Sequence, residues 1–135
     1  MVIGVPKEIL ENEGRVAALP ENVGKYVKSG FRVLMEKSAG ERALRPDVEY
    51  ERAGAEIAEE VFSRSDIVLK VKQPCLNERT GRHEVEMLRE GAILIAFLHP
   101  AAPSNHDMVR RLRDGNITAF TMDGIPRTPR ARSMD

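Results

Sequence analysis

The 135-residue sequence lacks an excess of charge of either sign, a pair of cysteines and any long apolar run. Lys plus Arg and Asp plus Glu both number 21, so neither nucleic acid nor an acidic membrane surface is expected as a partner. The single cysteine, Cys75, excludes an internal disulfide. The first residues, Met1 to Lys7, are too short an apolar stretch for a signal peptide or a membrane span. We therefore expect a soluble protein of the reducing cytoplasm.

The sequence also lacks the Gly-x-Gly-x-x-Gly motif of dinucleotide-binding folds. Its ten glycines occur singly, at positions that suit turns. The motif is needed directly after a strand because the backbone there approaches the pyrophosphate closely. We therefore expect no NAD or NADP to be bound by this chain alone, and we assign no metal site to it.

Short apolar runs alternate along the chain with amphipathic stretches. The runs predict strands at Val2 to Val5, Arg32 to Glu36, Asp66 to Val71, Ala92 to Leu98 and Ile117 to Met122. The amphipathic stretches predict helices at Pro20 to Ser29, Pro46 to Ala53, Glu59 to Ser63, Glu84 to Arg89 and Asn105 to Asp114. The polar segment from Gln73 to His83 is predicted to be a loop. Alternation of this kind indicates an α/β domain: a flavodoxin-like or Rossmann-like parallel sheet with helices on both faces.

Six segments together resemble a known family. They are Gly4-Val-Pro-Lys-Glu8 with Arg15-Val-Ala, Gly30-Phe-Arg-Val with Ser38-Ala-Gly-Glu41, Ala53-Gly-Ala55, Ser65-Asp-Ile-Val-Leu-Lys-Val-Lys-Gln-Pro74, Leu88-Arg-Glu-Gly91 and Phe97-Leu-His-Pro-Ala101. In order and spacing the set resembles the N-terminal domain of the family that contains alanine dehydrogenase and the alpha subunit of nicotinamide nucleotide transhydrogenase. The resemblance implies an oxidoreductase that uses NAD and NADP in its full-length form, with the nucleotide held by a second domain.

Three residues are candidates for a substrate site. Arg15 lies in the loop after the first predicted strand, where its guanidinium could bind a carboxylate or a phosphate, although a solvated surface arginine fits the same pattern. The resemblance implies that, in the alanine dehydrogenase branch, Arg15 and Lys72 hold the carboxylate and carbonyl of pyruvate or alanine. It implies that Lys72 also stabilises charge on the ketone oxygen and that His99 is the general acid/base. From spacing alone, Lys70 and Lys72 would lie on the solvent side of a strand, and His99 would cap a strand end.

The end of the chain resembles the transhydrogenase branch instead. Residues 123–135 are predicted to be a connector from the domain of residues 1–122 to an absent NAD-binding domain. They match a transhydrogenase loop of Pro-Arg-Ile-Ser-Arg-Ala-Gln-Ser-Met-Asp form, which implies cofactor binding by Arg127, Arg132 and Asp135. Arg132 stands where the family has a glutamine, so a permanent cation replaces a neutral amide. A basic, solvated linker is the other interpretation of these arginines.

Three functions remain open from the sequence. The preferred one is the N-terminal domain of a transhydrogenase alpha subunit, because the matching tail is long and contiguous. The second is the substrate domain of alanine dehydrogenase, and the third is a non-catalytic module of the same fold. For the first function the resemblance implies a homodimer, a membrane-embedded transhydrogenase subunit as partner, and a cytoplasmic location at the membrane periphery.

Overall fold

The architecture is that of a parallel sheet between two helical layers. The structure, a computed structural model, describes residues 1–124. Its strands are β1 (Val2–Val5), β2 (Arg32–Glu36), β3 (Glu56–Ala58), β4 (Ile67–Lys72), β5 (Leu76–Asn77), β6 (Arg82–His83), β7 (Ile93–Phe97) and β8 (Thr118–Thr121). Its α-helices are α1 (Pro20–Lys28), α2 (Asp47–Arg52), α3 (Glu84–Met87) and α4 (His106–Asp114).

Six of the strands form the main sheet, in the order β3-β2-β1-β4-β7-β8. Every neighbouring pair in it is parallel. This is the Rossmann-type order, in which the chain builds outward from β1 in one direction and then from β4 in the other. The order therefore reverses between β1 and β4, and ligands of such sheets bind outside the carboxyl ends of the strands at that point.

Helices pack against both faces of the sheet, as the alternation of strands and helices predicts. On one face, Ile3 and Met35 pack with Val23 of α1 and Tyr50 of α2. The side chains of neighbouring positions point to the opposite face, where Val68 and Leu94 form a second core cluster with α3 and α4. Within the part of the chain that the structure describes, no helix is long and apolar enough to cross a membrane.

The structure departs from the predicted elements in three places. β3 was not predicted, because a three-residue edge strand gives too short an apolar pattern. The segment from Gln73 to His83 is not a plain loop, since β5 and β6 pair in it as an antiparallel ladder. The short helical turn predicted over Glu59 to Ser63 lies later in the chain, as a single 3-10 turn at Phe62–Arg64, and its phenylalanine is buried in the second core cluster.

A bulge interrupts β4 near its carboxyl end. Leu69 pairs with Ile95 and Lys72 with Phe97, so three steps along β4 match two steps along β7. A strand without a bulge would place Lys70 and Lys72 on the same face of the sheet. The extra residue turns Lys72 to the opposite face from Lys70. The two lysines are therefore not a pair on a solvent-facing strand, and β4 lies inside the sheet, between β1 and β7.

Candidate functional site

Arg15 and Lys72 meet at the point where the strand order reverses. Arg15 lies in the loop that follows β1, and Lys72 is the last residue of β4. Both line one open depression of about 560 Å³, together with Arg42 and the carboxylates of Glu11 and Glu13. Three cations against two carboxylates leave one net positive charge. The depression can therefore accept a small anion, and a carboxylate or a phosphate suits its donors.

Glu13 fixes the position of Arg15. The Arg15 side chain donates to both carboxylate oxygens of Glu13, over 3.1 Å from Nε and 3.0 Å from Nη2, and its backbone amide donates over 2.7 Å. The hydrogen bond from Arg15 holds the pKa of Glu13 below its usual value. The Glu13 side chain is 6% exposed whereas that of Arg15 is 64% exposed, so a buried carboxylate orients a guanidinium at the mouth of the depression. Arg42 steadies the same loop by donating to the Glu13 carbonyl oxygen over 3.2 Å.

A buried ionic cluster lies on the other side of β4. The ammonium of Lys70 is 3.2 Å from Glu8 and 3.5 Å from Glu84, and all three side chains are at most 2% exposed. Burial raises the pKa of Glu84, against the lowering effect of Lys70. Sequence reasoning missed this cluster, because Glu8 and Lys70 are 62 residues apart and only the fold brings them together. The one signal in the sequence was Glu8 within the Gly4-Val-Pro-Lys-Glu8 motif.

His99 follows β7, at the strand end next to β4, and does not line the depression shared by Arg15 and Lys72. Its backbone has a positive φ of 47°. Its amide donates to Asp123 over 2.6 Å, and its Nδ1 lies 3.1 Å from the same carboxylate. Burial acts to raise the pKa of Asp123, but hydrogen bonds from Thr121 and from the His99 amide give a net lowering. Asp123 therefore contacts both the backbone amide and the Nδ1 of His99 and fixes the orientation of the imidazole.

An apolar groove of about 530 Å³ adjoins the depression. It runs between α1 and the uncovered face of β4 and β7, and Arg15 lines it as well. Leu69, Ile95 and Phe97 form its floor, and Tyr26 of α1 forms part of its wall. Burial raises the pKa of Tyr26. A charged rim beside an apolar floor suits a ligand or a chain segment with one anionic and one apolar part.

The remaining polar candidates have structural positions. His83 caps α3, because its Nδ1 accepts a hydrogen bond from the Val85 amide over 3.2 Å. Burial raises the pKa of the Cys75 thiol to about 11, so it is protonated at neutral pH and is a poor nucleophile. Among residues 1–124 no group of His, Cys, Asp and Glu side chains could hold a metal ion. The predicted cofactor-binding residues Arg127, Arg132 and Asp135 lie outside the described residues.

Comparison with known proteins gives a consistent set of relatives. The family model described as the alanine dehydrogenase/PNT N-terminal domain matches residues 4–135. An NAD(P) transhydrogenase alpha-subunit protein of Rhodospirillum rubrum is 41% identical over 138 residues, which covers 100% of this chain and 35% of that protein. Alanine dehydrogenase of Methanococcus maripaludis is 40% identical over 128 residues, which covers 93% of this chain and 32% of that protein. The crystal structure of transhydrogenase from Sinorhizobium meliloti superposes with a TM-score of 0.86 at 35% identity, over 100% of this chain and 39% of that one. The chain thus spans about a third of the length of these relatives.

Proposed function

The chain belongs to the family of alanine dehydrogenase and PNT N-terminal domains, and on this basis we propose that it is the N-terminal domain of an NAD(P) transhydrogenase alpha subunit. In full-length form that enzyme would transfer a hydride between NADH and NADP, coupled to proton translocation. The observation that carries the proposal is the likeness to transhydrogenases along 100% of the chain, in sequence and in fold. The resemblance predicted from the six sequence segments is confirmed by the family match.

We propose that this domain and other parts of the full-length enzyme have separate roles. The chain lacks a Gly-rich phosphate-binding turn after β1, so a second domain would bind NAD. Arg127, Arg132 and Asp135 would then contact the nucleotide at the junction of the two domains. A membrane-embedded partner subunit would provide the proton path, with this domain on the cytoplasmic side. Two copies would associate as a dimer through apolar surface that this chain leaves uncovered.

Alanine dehydrogenase is the second candidate, and the anion pocket favours it. Arg15 and Lys72 line one depression with one net positive charge, which suits the carboxylate of pyruvate or alanine. The Lys72 ammonium would stabilise the negative charge that develops on the ketone oxygen when ammonia adds to the carbonyl carbon, before the hydride reaches the resulting imine. His99, held by Asp123 through Nδ1, would exchange a proton with the substrate. In this candidate NAD supplies the hydride chemistry from the second domain.

A pair of chimeras distinguishes the two candidates. In the first, this chain replaces the matching segment of the Rhodospirillum rubrum transhydrogenase subunit, which is assayed with its partner subunits for hydride transfer between nicotinamide nucleotides. In the second, it replaces the matching segment of the Methanococcus maripaludis alanine dehydrogenase, which is assayed for pyruvate-dependent oxidation of NADH with ammonium. We expect the first chimera to be active and the second to be inactive.

The reverse result would assign the chain to alanine dehydrogenase and reject the transhydrogenase proposal. Two folded chimeras that both bind NADH but transfer no hydride would support a non-catalytic module. The matched control for each chimera is Arg32→Ala, since Arg32 is the first residue of β2 and pairs with the exposed Glu56, at the end of the sheet opposite to the carboxyl ends of the strands. That substitution should leave either activity unchanged.

A further inference from the structure

We propose that Glu8 is a positioning residue for the anion pocket, because its buried carboxylate holds the bulge of β4 that brings Lys72 onto the face of the sheet occupied by Arg15. The inference rests on the anion pocket of the proposed function only for its effect on ligand binding. Its structural part, which concerns the side of β4 on which Lys72 lies, stands on the contacts of Glu8 alone.

The contacts of Glu8 are concentrated on the bulge. The Val71 amide donates to Oε2 over 2.9 Å, and the Lys72 amide donates to Oε1 over 3.0 Å. The ammonium of Lys70 donates to the same Oε1 over 3.2 Å. One side chain therefore receives hydrogen bonds from three consecutive residues of the strand. Glu8 itself is 4% exposed.

A bulge in an interior strand needs hydrogen-bond acceptors for the backbone amides that it displaces from the ladder. The extra residue breaks the regular ladder and leaves backbone amides without their usual acceptors. A buried amide without an acceptor costs about 1–3 kcal/mol, and water has little access to this part of β4. A carboxylate has two oxygens with several acceptor sites, so it can satisfy both amides and the ammonium together. The pairing of β4 with β1 ends at Val68, so the Glu8 carboxylate accepts from two amides of β4 that lie beyond the end of β1 and within the irregular part of the β4–β7 ladder.

The bulge has a direct consequence for the anion pocket. Without it, alternation along β4 would place Lys72 on the same side of the strand as Lys70, which contacts the buried carboxylates and not the depression that Arg15 lines. With it, Lys72 pairs with Phe97 and lines the depression with Arg15. Pro6, which is fully buried, restricts the backbone two residues before Glu8.

Glu84 provides a matched control. It is also buried and also contacts Lys70, at 3.5 Å, and it accepts hydrogen bonds from the amide and the thiol of Cys75. A change of either carboxylate to an amide removes one negative charge beside Lys70. Only the change at Glu8 also alters the acceptors of the Val71 and Lys72 amides. The two variants therefore separate an effect on the bulge from an effect on the buried charge.

The test compares wild type, Glu8→Gln and Glu84→Gln as the 135-residue chain. Crystal structures report the side of β4 on which Lys72 lies, and NMR titration with oxamate, a small carboxylate, reports affinity. We expect Glu8→Gln to lose the bulge or the contact of Lys72 with the depression and to bind oxamate about tenfold or more weakly, as loss of hydrogen bonds to a charged group implies. We expect Glu84→Gln to keep the bulge and bind within about twofold of wild type.

Two results would overturn the inference: a bulge that remains in Glu8→Gln with Lys72 still beside Arg15, or equal weakening of oxamate binding in both variants. If wild type binds no oxamate, the anion pocket of the proposed function fails, and the crystal structures alone decide the role of Glu8. If Glu8→Gln does not fold, Glu8→Asp takes its place. The aspartate keeps the negative charge, but its shorter side chain should not reach the Val71 and Lys72 amides. If Lys72 then keeps its position and the affinity for oxamate is unchanged, the inference is wrong.

Discussion

Two lysines that are two residues apart have opposite environments in this protein. Lys70 is buried between two carboxylates, and Lys72 is at the rim of an open depression. The first compensates buried negative charge, so its removal affects folding. The second lines the depression that we propose as an anion site, so its removal should affect binding. Among single residues, we therefore propose that charge has a structural role on one side of β4 and a functional role on the other.

The first prediction concerns this division. Lys70→Met leaves Glu8 and Glu84 buried without a cation, which should lower the free energy of unfolding by about 3–5 kcal/mol. Lys72→Met removes a half-exposed charge and should change the same free energy by no more than about 0.5 kcal/mol. Urea unfolding followed by circular dichroism measures both. Equal losses for the two variants would mean that Lys70 is not the ion that holds the cluster together.

A second prediction at this scale concerns pH. Burial raises the pKa of Glu36, against the hydrogen bond from the Lys7 amide, so the folded state resists its ionisation. As pH rises through the usual value of 4.5, Glu36 ionises first in the unfolded chain, and stability falls until the higher folded pKa is passed. Glu36→Gln should therefore be more stable than wild type at pH 7, with a difference that shrinks as the pH is lowered.

The free energy of unfolding, measured for wild type and Glu36→Gln over a range of pH, tests the predicted direction of this difference. The exposed carboxylate Glu59, whose side chain is 87% exposed, supplies the control variant Glu59→Gln. A Glu36→Gln variant that is less stable than wild type at neutral pH would show that the charged form of Glu36 has a favourable partner that outweighs its burial.

At the scale of elements, β1 and its flanking loops determine the site. The strand is central in the sheet, and the loop after it carries Glu8, Glu13 and Arg15. Tyr50 of α2 anchors that loop, because its hydroxyl donates to the Ala18 carbonyl oxygen over 2.7 Å. The loop is therefore fixed at both ends, by the ladder of β1 and by a buried hydrogen bond.

The third prediction tests the packing of β1. A Cβ at Gly4 would lie 2.0 Å from the hydroxyl oxygen and 2.8 Å from the Cβ of Ser65, so no side chain fits there. Gly4→Ala should cost about 1–3 kcal/mol from overpacking. Ser65→Gly removes both close atoms, so the double variant should recover part of that loss even though Ser65→Gly loses a hydrogen bond to Val61. A thermal-unfolding double-mutant cycle with strictly additive costs would contradict this account.

The sequence predicts most elements but not the bulge. β1 and β2 match their predicted limits because their apolar runs end at turn residues. The bulge depends on the register of β4 against β7 and on Glu8, which lies 63 residues before Val71. The local periodicity of the sequence gives no information about the strand register or about the contact with Glu8. It therefore predicted that Lys70 and Lys72 lie on the same face of β4. Arg15 and Lys72 were singled out by family resemblance, whereas the pattern alone favoured surface residues.

At the scale of the whole molecule, one side of the sheet is incompletely covered. β8 is exposed along its length, and Phe120 on it is 56% exposed. Leu69, Ile95 and Phe97 continue this apolar surface towards α1. Apolar surface of this kind marks a place for another chain or another segment of the same protein.

The fourth prediction concerns nucleotide binding by this chain alone. The 135-residue chain should fold but should not bind NADH with micromolar affinity, because the segment after β1 has no glycine-rich turn to approach a pyrophosphate. Isothermal calorimetry with NADH measures this, and ADP-ribose serves as the matched ligand without a nicotinamide. Micromolar binding of either would show that the chain contains a nucleotide site of another design.

We propose that Arg15 and Lys72 form an anion pocket where the strand order reverses between β1 and β4, and an oxamate titration of the ¹⁵N-labelled chain tests this proposal. We expect saturable shifts at the amides of residues 11–15, 42 and 72, which border the depression. We expect binding to weaken about tenfold or more in both Arg15→Gln and Lys72→Met, since each loses one charged hydrogen-bond donor. Shifts confined to another region of the molecule, or affinity unchanged in both variants, would contradict the account.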